Sequence, residues 1–435
     1  MTSSPTAVAA AEANERALVY AVQASRLEGT VRLSGAKNSV LRLMAASLLT
    51  EEPVRLRNYP ATLRDAEIHR QMLERLGKRC TLEGPDSLLI EEVSPPPGEL
   101  VWEKRSIRNT LLIMGALAAR TGHGAVPMPG GCKLGDRKYD LHIMLLQNLG
   151  ARTEETEERL AAQAPAGGLR GARIVLPMRS TGATENALIS ASLARGKTVI
   201  WGPHIRPEIM DLISMLRQMG AGIEVFGQER IEVEGRERLG GADHRVLPDN
   251  MEALTWMIGA TMTGGAVEIV DFPIADLEVP LAFLKESGVR FYTGTDSVIV
   301  QGGACFPVEI ATGPYPGINS DMQPLFAVFG AMSRGESKII DLRFPGRYGY
   351  AEELAKMGVD AETRGDVLHV FGNGGALRGA DVRALDLRAG IALTLCGLRA
   401  EGVTRVHEAW QVERGYDRFV DKLRSLGGRI EVGEG

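Results

Sequence analysis

One motif recurs six times along the chain, and it restricts the fold to architectures built from six equivalent units. A helix-like segment that ends in a Gly turn and passes into a strand is read in "MLERLGKRC", "LLQNLGART", "MLRQMGAGIEV", "FLKESGVRF", "ELAKMGVDAE" and "KLRSLGGRIEV". The turn glycines are Gly77, Gly150, Gly220, Gly288, Gly358 and Gly427, spaced 73, 70, 68, 70 and 69 residues apart. A fixed period of this length marks a repeat architecture, in which each supersecondary unit buries its apolar face against the next.

Every repeat also carries a second helix of different character: "AKNSVLRLMAASLL", "RNTLLIMGALAAR", "GATENALISASLA", "MEALTWMIGATM", "DMQPLFAVFGAM" and "LRAGIALTLCGL". These are small and apolar nearly all round, as a helix buried on every side must be. The helices that end in the Gly turn alternate charge with Leu and Met and should be amphipathic. Segments such as "RIVLP", "KTVIWG", "AVEIVDF" and "SKIIDL" read as strands between them. The repeats are therefore expected to be α/β units whose sheets cover a core of helices.

The starts of the buried helices are predicted at Lys37–Asn38, Arg108–Asn109, Gly182–Thr184, Asp249–Asn250, Asp321 and Arg388. A helix N-terminus presents unpaired N–H groups and about half a positive charge, so parallel helices aim several dipoles at one point, where phosphates and carboxylates bind. Lys37, Arg108 and Arg388 at those ends would repel one another without an anionic ligand.

With 435 residues, 44% hydrophobic and 24% charged, the chain has material for two or three cores. A net charge of −5 and the lack of a long basic run argue against nucleic-acid binding. The longest apolar runs, such as "LLIMGALAA" from Leu111, fall well short of the ~18–20 residues of a membrane span. Residues 1–16 lack the charged start and apolar block of a secretory signal and read as a disordered tail on a cytoplasmic protein. Cys80, Cys132, Cys305 and Cys396 are far apart, with no C-x-x-C and no nearby His pair, which excludes a disulfide framework and a zinc site. Cys305 and Cys396 suit a small buried apolar role. Cys132 does not: in "MPGGCKLGDR" it follows a glycine pair, and Lys133 and Arg137 favour its thiolate.

The ordered series "LSGAKNSVLRLMAASLL", "PGGCKLGDRKYDLHI", "GATENALISASLA", "RVLPD", "SDMQ", "DLRA" and "ERGYDRFVDKLRSLG" resembles the enolpyruvyl transferases from about Leu33 to Ile430. The resemblance implies a two-domain inside-out α/β barrel, three repeats per domain, with buried helices covered by sheets. Residues 1–36 and 248–435 would form one discontinuous domain and 37–247 an inserted domain carrying the catalytic loop. The active site would lie in a cleft that closes on substrate. The implied reaction moves the enolpyruvyl group of phosphoenolpyruvate onto a secondary hydroxyl of a uridine nucleotide and releases phosphate, with no metal or organic cofactor. UDP-N-acetylglucosamine, a peptidoglycan precursor, is the first acceptor implied; UMP, in nucleoside-antibiotic synthesis, is the second. A non-catalytic paralogue would have no reason to keep Lys37, Cys132, Arg137, Asp321, Arg388 and Arg414 together. No nucleic acid or membrane partner is implied, and the protein should be a monomer or weak homo-oligomer.

By the same resemblance Cys132 is the general acid, able to add covalently to phosphoenolpyruvate. Lys37, Arg137 and Arg414 hold the donor's phosphate and carboxylate, with Arg108 and Arg388 as further basic positions. Asn38 contacts the acceptor, and Asp321 is the base or orienting group at the reacting hydroxyl; it also suits an N-cap for the fifth buried helix. Arg137, Asp140 and Leu141 cradle uracil, while Ser180 and Gly182 belong to the diphosphate loop. Three places depart from the family pattern: Arg206 in "HIRPEI" replaces an acid, Lys138–Tyr139 replace a Pro-Val pair, and "PGRYGY" keeps Arg347 but lacks the Glu and Asn that lie against the amino sugar.

Overall fold

The computed structural model describes residues 17–129 and 139–434. The chain divides into two compact units after Ser34 and after Leu247: Gly35–Leu247 forms one, and the segments on either side of it form the other.

The inserted unit contains the buried helices Lys37–Ala46, Thr110–Thr121 and Thr181–Ala191 and the outer helices Arg64–Arg75, Asp140–Asn148 and Pro207–Gln218. The discontinuous unit repeats the plan with Asn250–Thr263, Gln323–Ala331 and Leu387–Gly397 buried, and Glu278–Glu286, Tyr350–Lys356 and Phe419–Ser425 outside. All-round apolarity translates into all-round burial: every residue of Asn250–Thr263 is buried, as is every residue from Thr110 to Ala118. Packing between the buried helices is close. A Cβ on Gly115 would lie 1.8 Å from Asn186 Oδ1 on the neighbouring helix.

The six turn glycines have φ of 85, 90, 100, 97, 88 and 84°. That left-handed conformation ends each outer helix and turns the chain into a strand, and glycine adopts it without a Cβ penalty. The fifth buried helix departs from its predicted start. A 3-10 turn, Ser320–Met322, comes first and the α-helix begins at Gln323. Pro324 accounts for this, since it fixes φ and lacks the N–H that a position deeper in the helix would need.

Among the described residues each unit has three sheets, and in five of the six a parallel pair adjoins an antiparallel pair. In one, Arg173–Val175 runs parallel to Lys197–Trp201, followed by Arg230–Glu234 and Gly222–Phe226. The sheet built on His123–Pro127 has three strands, its parallel edge reduced to the single bridge Glu99–Ala125. Alternation puts one face inward: in Val54–Arg57, Val54 and Leu56 are buried while Arg57 is exposed. Strands next to the two chain crossings are exchanged between repeats. Glu28–Arg32 pairs with Ala266–Val270, and Ala242–Arg245 with Val54–Arg57. The last sheet takes its third strand from the other end of the chain, Leu18–Gln23, inserted between Val403–His407 and Arg429–Glu434.

Candidate functional site

In the inserted unit the buried helices begin with little side-chain capping. Ala36 precedes Lys37–Ala46 and offers none, and Asn109 before Thr110–Thr121 spends its amide on Leu41 O at 2.8 Å. Ser180 caps Thr181–Ala191 through one long contact, its Oγ accepting from Ala183 N at 3.4 Å. Lys37 occupies the first helical position, and its Nζ lies 2.7 Å from Asp65 Oδ2, both side chains almost fully buried. Asn38 and Arg108 are half-buried beside it in sequence and one repeat on, respectively. Asp140 is exposed at the start of its helix, Leu141 is half-buried, and Gly182 lies in the first turn of Thr181–Ala191. Cys132 and Arg137 lie outside the described residues.

Arg206, at the start of Pro207–Gln218, is held in a two-pronged pair by Glu208 at 2.6 and 2.7 Å. A second buried pair, Arg42 with Glu185 at 2.6 Å, stands near it, and burial raises the Glu185 pKa against the pull of Arg42. The substitution at position 206 thus arrives with its own counter-ion. Tyr139 hydrogen bonds Glu155.

In the discontinuous unit the corresponding helix starts are acidic. Asp249 Oδ1 accepts from Met251 N at 2.7 Å and Glu252 N at 3.1 Å, and Asp386 Oδ1 accepts from Arg388 N at 2.7 Å and Ala389 N at 2.8 Å. At the third start Asn319, rather than Asp321, supplies the cap, accepting from Asp321 N at 3.1 Å. This corrects the N-cap reading of Asp321 and leaves its carboxylate to two guanidiniums: Arg347 Nη1 at 3.1 Å and Arg388 Nη2 at 3.5 Å. Arg347 also reaches Asp386 Oδ2 at 3.1 Å. Burial opposes the charge on both arginines, but the carboxylates prevail and raise their pKa values. Asp249, fully buried, is shifted the other way: burial raises its pKa against Arg388. Arg414 is buried, bonded to Gln411 Oε1 at 3.0 Å, its guanidinium 5.9 Å from the centre of the Trp410 ring.

The altered "PGRYGY" segment fixes Arg347 from behind. Its two tyrosines turn inward: Tyr350 OH donates to Gln323 Oε1 at 2.5 Å, Gln323 Nε2 donates to Arg347 O at 2.9 Å, and Tyr348 OH accepts from Asp341 N at 2.7 Å.

The sequence therefore places its cations and Asp321 in two groups, Lys37, Asn38, Arg108, Asp140, Leu141, Ser180 and Gly182 in one unit and Asp321, Arg347, Arg388 and Arg414 in the other. Of the three cations expected to repel one another without a ligand, Lys37, Arg108 and Arg388, two have an acidic partner within their own unit: Asp65 for Lys37 and Asp321 for Arg388. Asp65 and Asp386 were missed. Asp386 was legible as an acid one residue ahead of an apolar helix; Asp65 was not, since only the tertiary fold brings it to Lys37. Among the described residues no helix is long and apolar enough to cross a membrane, and no group of three or more His, Cys, Asp or Glu could hold a metal ion.

Comparison with known proteins supplies independent findings. Residues 22–423 match the family model of EPSP synthase (3-phosphoshikimate 1-carboxyvinyltransferase). The chain is 40% identical to a UDP-N-acetylglucosamine 1-carboxyvinyltransferase of Zymomonas mobilis over 93% of its length and 97% of the relative's. It is 40% identical to the enzyme of the same name from Maricaulis maris, over 94% and 96%. The fold superposes on the enolpyruvyl transferase NikO from Streptomyces tendae with a TM-score of 0.86 and 26% identity, covering 96% of this chain and 99% of NikO.

Proposed function

The chain belongs to the EPSP synthase family of carboxyvinyltransferases, and from that premise we propose that its acceptor is UDP-N-acetylglucosamine, whose hydroxyl receives the enolpyruvyl group of phosphoenolpyruvate as inorganic phosphate leaves. The observation that carries this reading is the 40% identity to enzymes of that name along nearly the whole of both chains. The enzyme works in the cytoplasm as a monomer or weak homo-oligomer, with no metal or organic cofactor.

The reaction needs a proton on the methylene carbon of phosphoenolpyruvate, a base or orienting group at the acceptor hydroxyl, and positive potential around a phosphate and a carboxylate. Asp321 serves the hydroxyl; the paired guanidiniums of Arg347 and Arg388 support this by fixing the carboxylate's position and charge. Lys37, Arg108, Arg137, Arg388 and Arg414 serve the anions. Asn38, Asp140, Leu141, Ser180 and Gly182 serve the nucleotide, a role that the lightly capped start of Thr181–Ala191 supports.

Cys132 delivers the proton. Burial pushes the other thiols up, Cys80 to about 12, Cys305 to about 11 and Cys396 to about 12, so they stay protonated at neutral pH. Alkylation followed by peptide mapping should therefore label Cys132, and phosphoenolpyruvate should slow it; labelling of Cys80 with activity intact contradicts the assignment. The function itself is tested by phosphate release from phosphoenolpyruvate across a panel of uridine nucleotides, with mass analysis of the acceptor. Release that depends on UDP-N-acetylglucosamine and adds an enolpyruvyl group to it is expected; release independent of any acceptor argues for hydrolysis instead.

A further inference from the structure

Behind Asp321 and Arg347 lies a buried carboxylate to which none of the roles above is given. Asp341, the residue after the strand Arg334–Ile340, is 1% exposed. Its Oδ2 accepts from Ser320 Oγ at 2.5 Å. Its Oδ1 accepts from Thr312 Oγ1 at 2.9 Å and from the backbone N–H groups of Arg343 and Phe344, each at 3.0 Å. One side chain therefore binds two separate segments: the 3-10 turn Ser320–Met322, whose second residue is Asp321, and the loop that leads to Arg347.

The sequence stiffens that loop. Arg347 N donates to Phe344 O at 3.1 Å, closing a four-residue turn whose central pair is Pro345 and Gly346, and Gly346 has φ of 77°. Proline followed by a left-handed glycine is the type II pattern. Asp341 holds the first residue of this turn, and Arg347 is its last. The path closes on itself: from Asp341 to Ser320, along the chain to Asp321, from Asp321 Oδ1 to Arg347 Nη1 at 3.1 Å, and through the turn back to Phe344. The Asp321 side chain is 27% exposed, so these bonds rather than close packing fix where its oxygens stand.

We propose that Ser320 and Asp341 are positioning residues for the transfer: through the Ser320 hydroxyl and the Phe344 N–H, the Asp341 carboxylate holds Asp321 and Arg347 in the relative placement that the acceptor hydroxyl requires. This rests on the reading of Asp321 as the group at that hydroxyl. A misplacement of about 1 Å at a reacting group can cost as much as a hundredfold in rate, so a support of this kind acts on turnover. Thr312 provides an internal control. It is as buried as Ser320 and donates to the same carboxylate, but through the oxygen that Ser320 does not use, and its hydroxyl also accepts from Leu342 N at 3.0 Å.

The test is steady-state kinetics of the intact protein with phosphoenolpyruvate and UDP-N-acetylglucosamine, with a thermal midpoint for each variant. Ser320→Ala should lower kcat about tenfold while the phosphoenolpyruvate KM changes by less than about twofold. Ser320→Thr keeps the hydroxyl and should recover most of that loss. Thr312→Val should lower the thermal midpoint at least as far as Ser320→Ala does, yet change kcat by less than about twofold. In the Asp321→Asn background, Ser320→Ala should cost less than about twofold, because the group it positions is gone. An unchanged kcat in Ser320→Ala overturns the proposal. So does a kcat that falls with the thermal midpoint in Thr312→Val as it does in Ser320→Ala, or an undiminished loss in the double variant. Should Ser320→Ala not fold, Ser320→Cys, similar in shape but weak as a donor, is read in its place. A normal kcat in Asp321→Asn refutes the reading on which the proposal rests, and the proposal with it; a depressed one beside a normal Ser320→Ala refutes the proposal alone.

Discussion

The two units are built on one repeat yet finish their buried helices in opposite ways. In the discontinuous unit the helix starts carry their own anions: Asp249 and Asp386 each take two backbone N–H groups, and Asp321 stands beside them between Arg347 and Arg388. In the inserted unit the starts carry Ala36, Asn109 and Ser180, and the first residue inside one of them is a lysine. A helix N-terminus already occupied by a carboxylate has little left for a ligand's anion, whereas an uncapped one retains both its N–H groups and its dipole. The same architecture thus yields one unit whose helix starts are occupied by carboxylates and one whose starts leave backbone N–H groups lightly capped.

The largest effect should come from removing that carboxylate. Asp321→Asn is expected to lower kcat by about a hundredfold or more, the scale of a lost acid–base group, with the phosphoenolpyruvate KM little changed. Steady-state kinetics checks it; a KM effect with normal kcat would move Asp321 to binding and blur the contrast. Lys37→Met should do the reverse, raising the phosphoenolpyruvate KM by about ten- to a hundredfold through the loss of a charged hydrogen bond worth ~1.5–3 kcal/mol. It also takes the ammonium away from Asp65, whose side chain is buried. Lys37→Met/Asp65→Asn should therefore regain much of the lost stability without regaining affinity; recovery of both would make the pair structural.

A smaller, purely energetic difference follows from burial. His69 and His142 are pulled down to about 3 by burial, whereas the discontinuous unit has no buried histidine among its described residues. The unfolded chain takes up protons near pH 6.5 that the folded unit refuses. Their contribution is therefore complete above pH 6.5 and is lost as the pH falls toward 3. At pH 5 the inserted unit should have lost ~2 kcal/mol per histidine. Hydrogen exchange at pH 5 and 7, corrected for intrinsic rates, should show the inserted unit opening first; equal changes in both units would contradict it.

The caps give the smallest effect. Asp249→Ala should cost about 1–2 kcal/mol in urea unfolding and Ser180→Ala about 0.5 or less, since the serine holds one N–H at 3.4 Å where the aspartate holds two at closer range. A larger loss at Ser180 would mean the inserted unit's helix starts are not as open as their geometry indicates.

Much of this was readable before any coordinates. The glycine period located all six outer helices because each needs a left-handed residue to turn into its strand, and all-round apolarity located the six buried ones. Residue types at the helix starts pointed to anion chemistry. Partners were not readable, because they come from other helices: Asp65 reaches Lys37 across 28 positions and Asp321 reaches Arg388 across 67. The cap at the fifth helix was misassigned by two residues because Asn319 and Asp321 are equally able to cap, and only the 3-10 turn before Pro324 decides between them.

The measurement that bears most directly on the account is the ratio of kcat/KM for UDP-N-acetylglucosamine to that for UMP at saturating phosphoenolpyruvate. The relatives' identity along the whole chain leads us to expect a ratio above about ten, a preference of more than ~1.4 kcal/mol in the transition state. A ratio below one would show that the inward-turned "PGRYGY" segment has moved the enzyme to a shorter acceptor, and turnover of neither nucleotide would contradict the assignment of a uridine acceptor altogether.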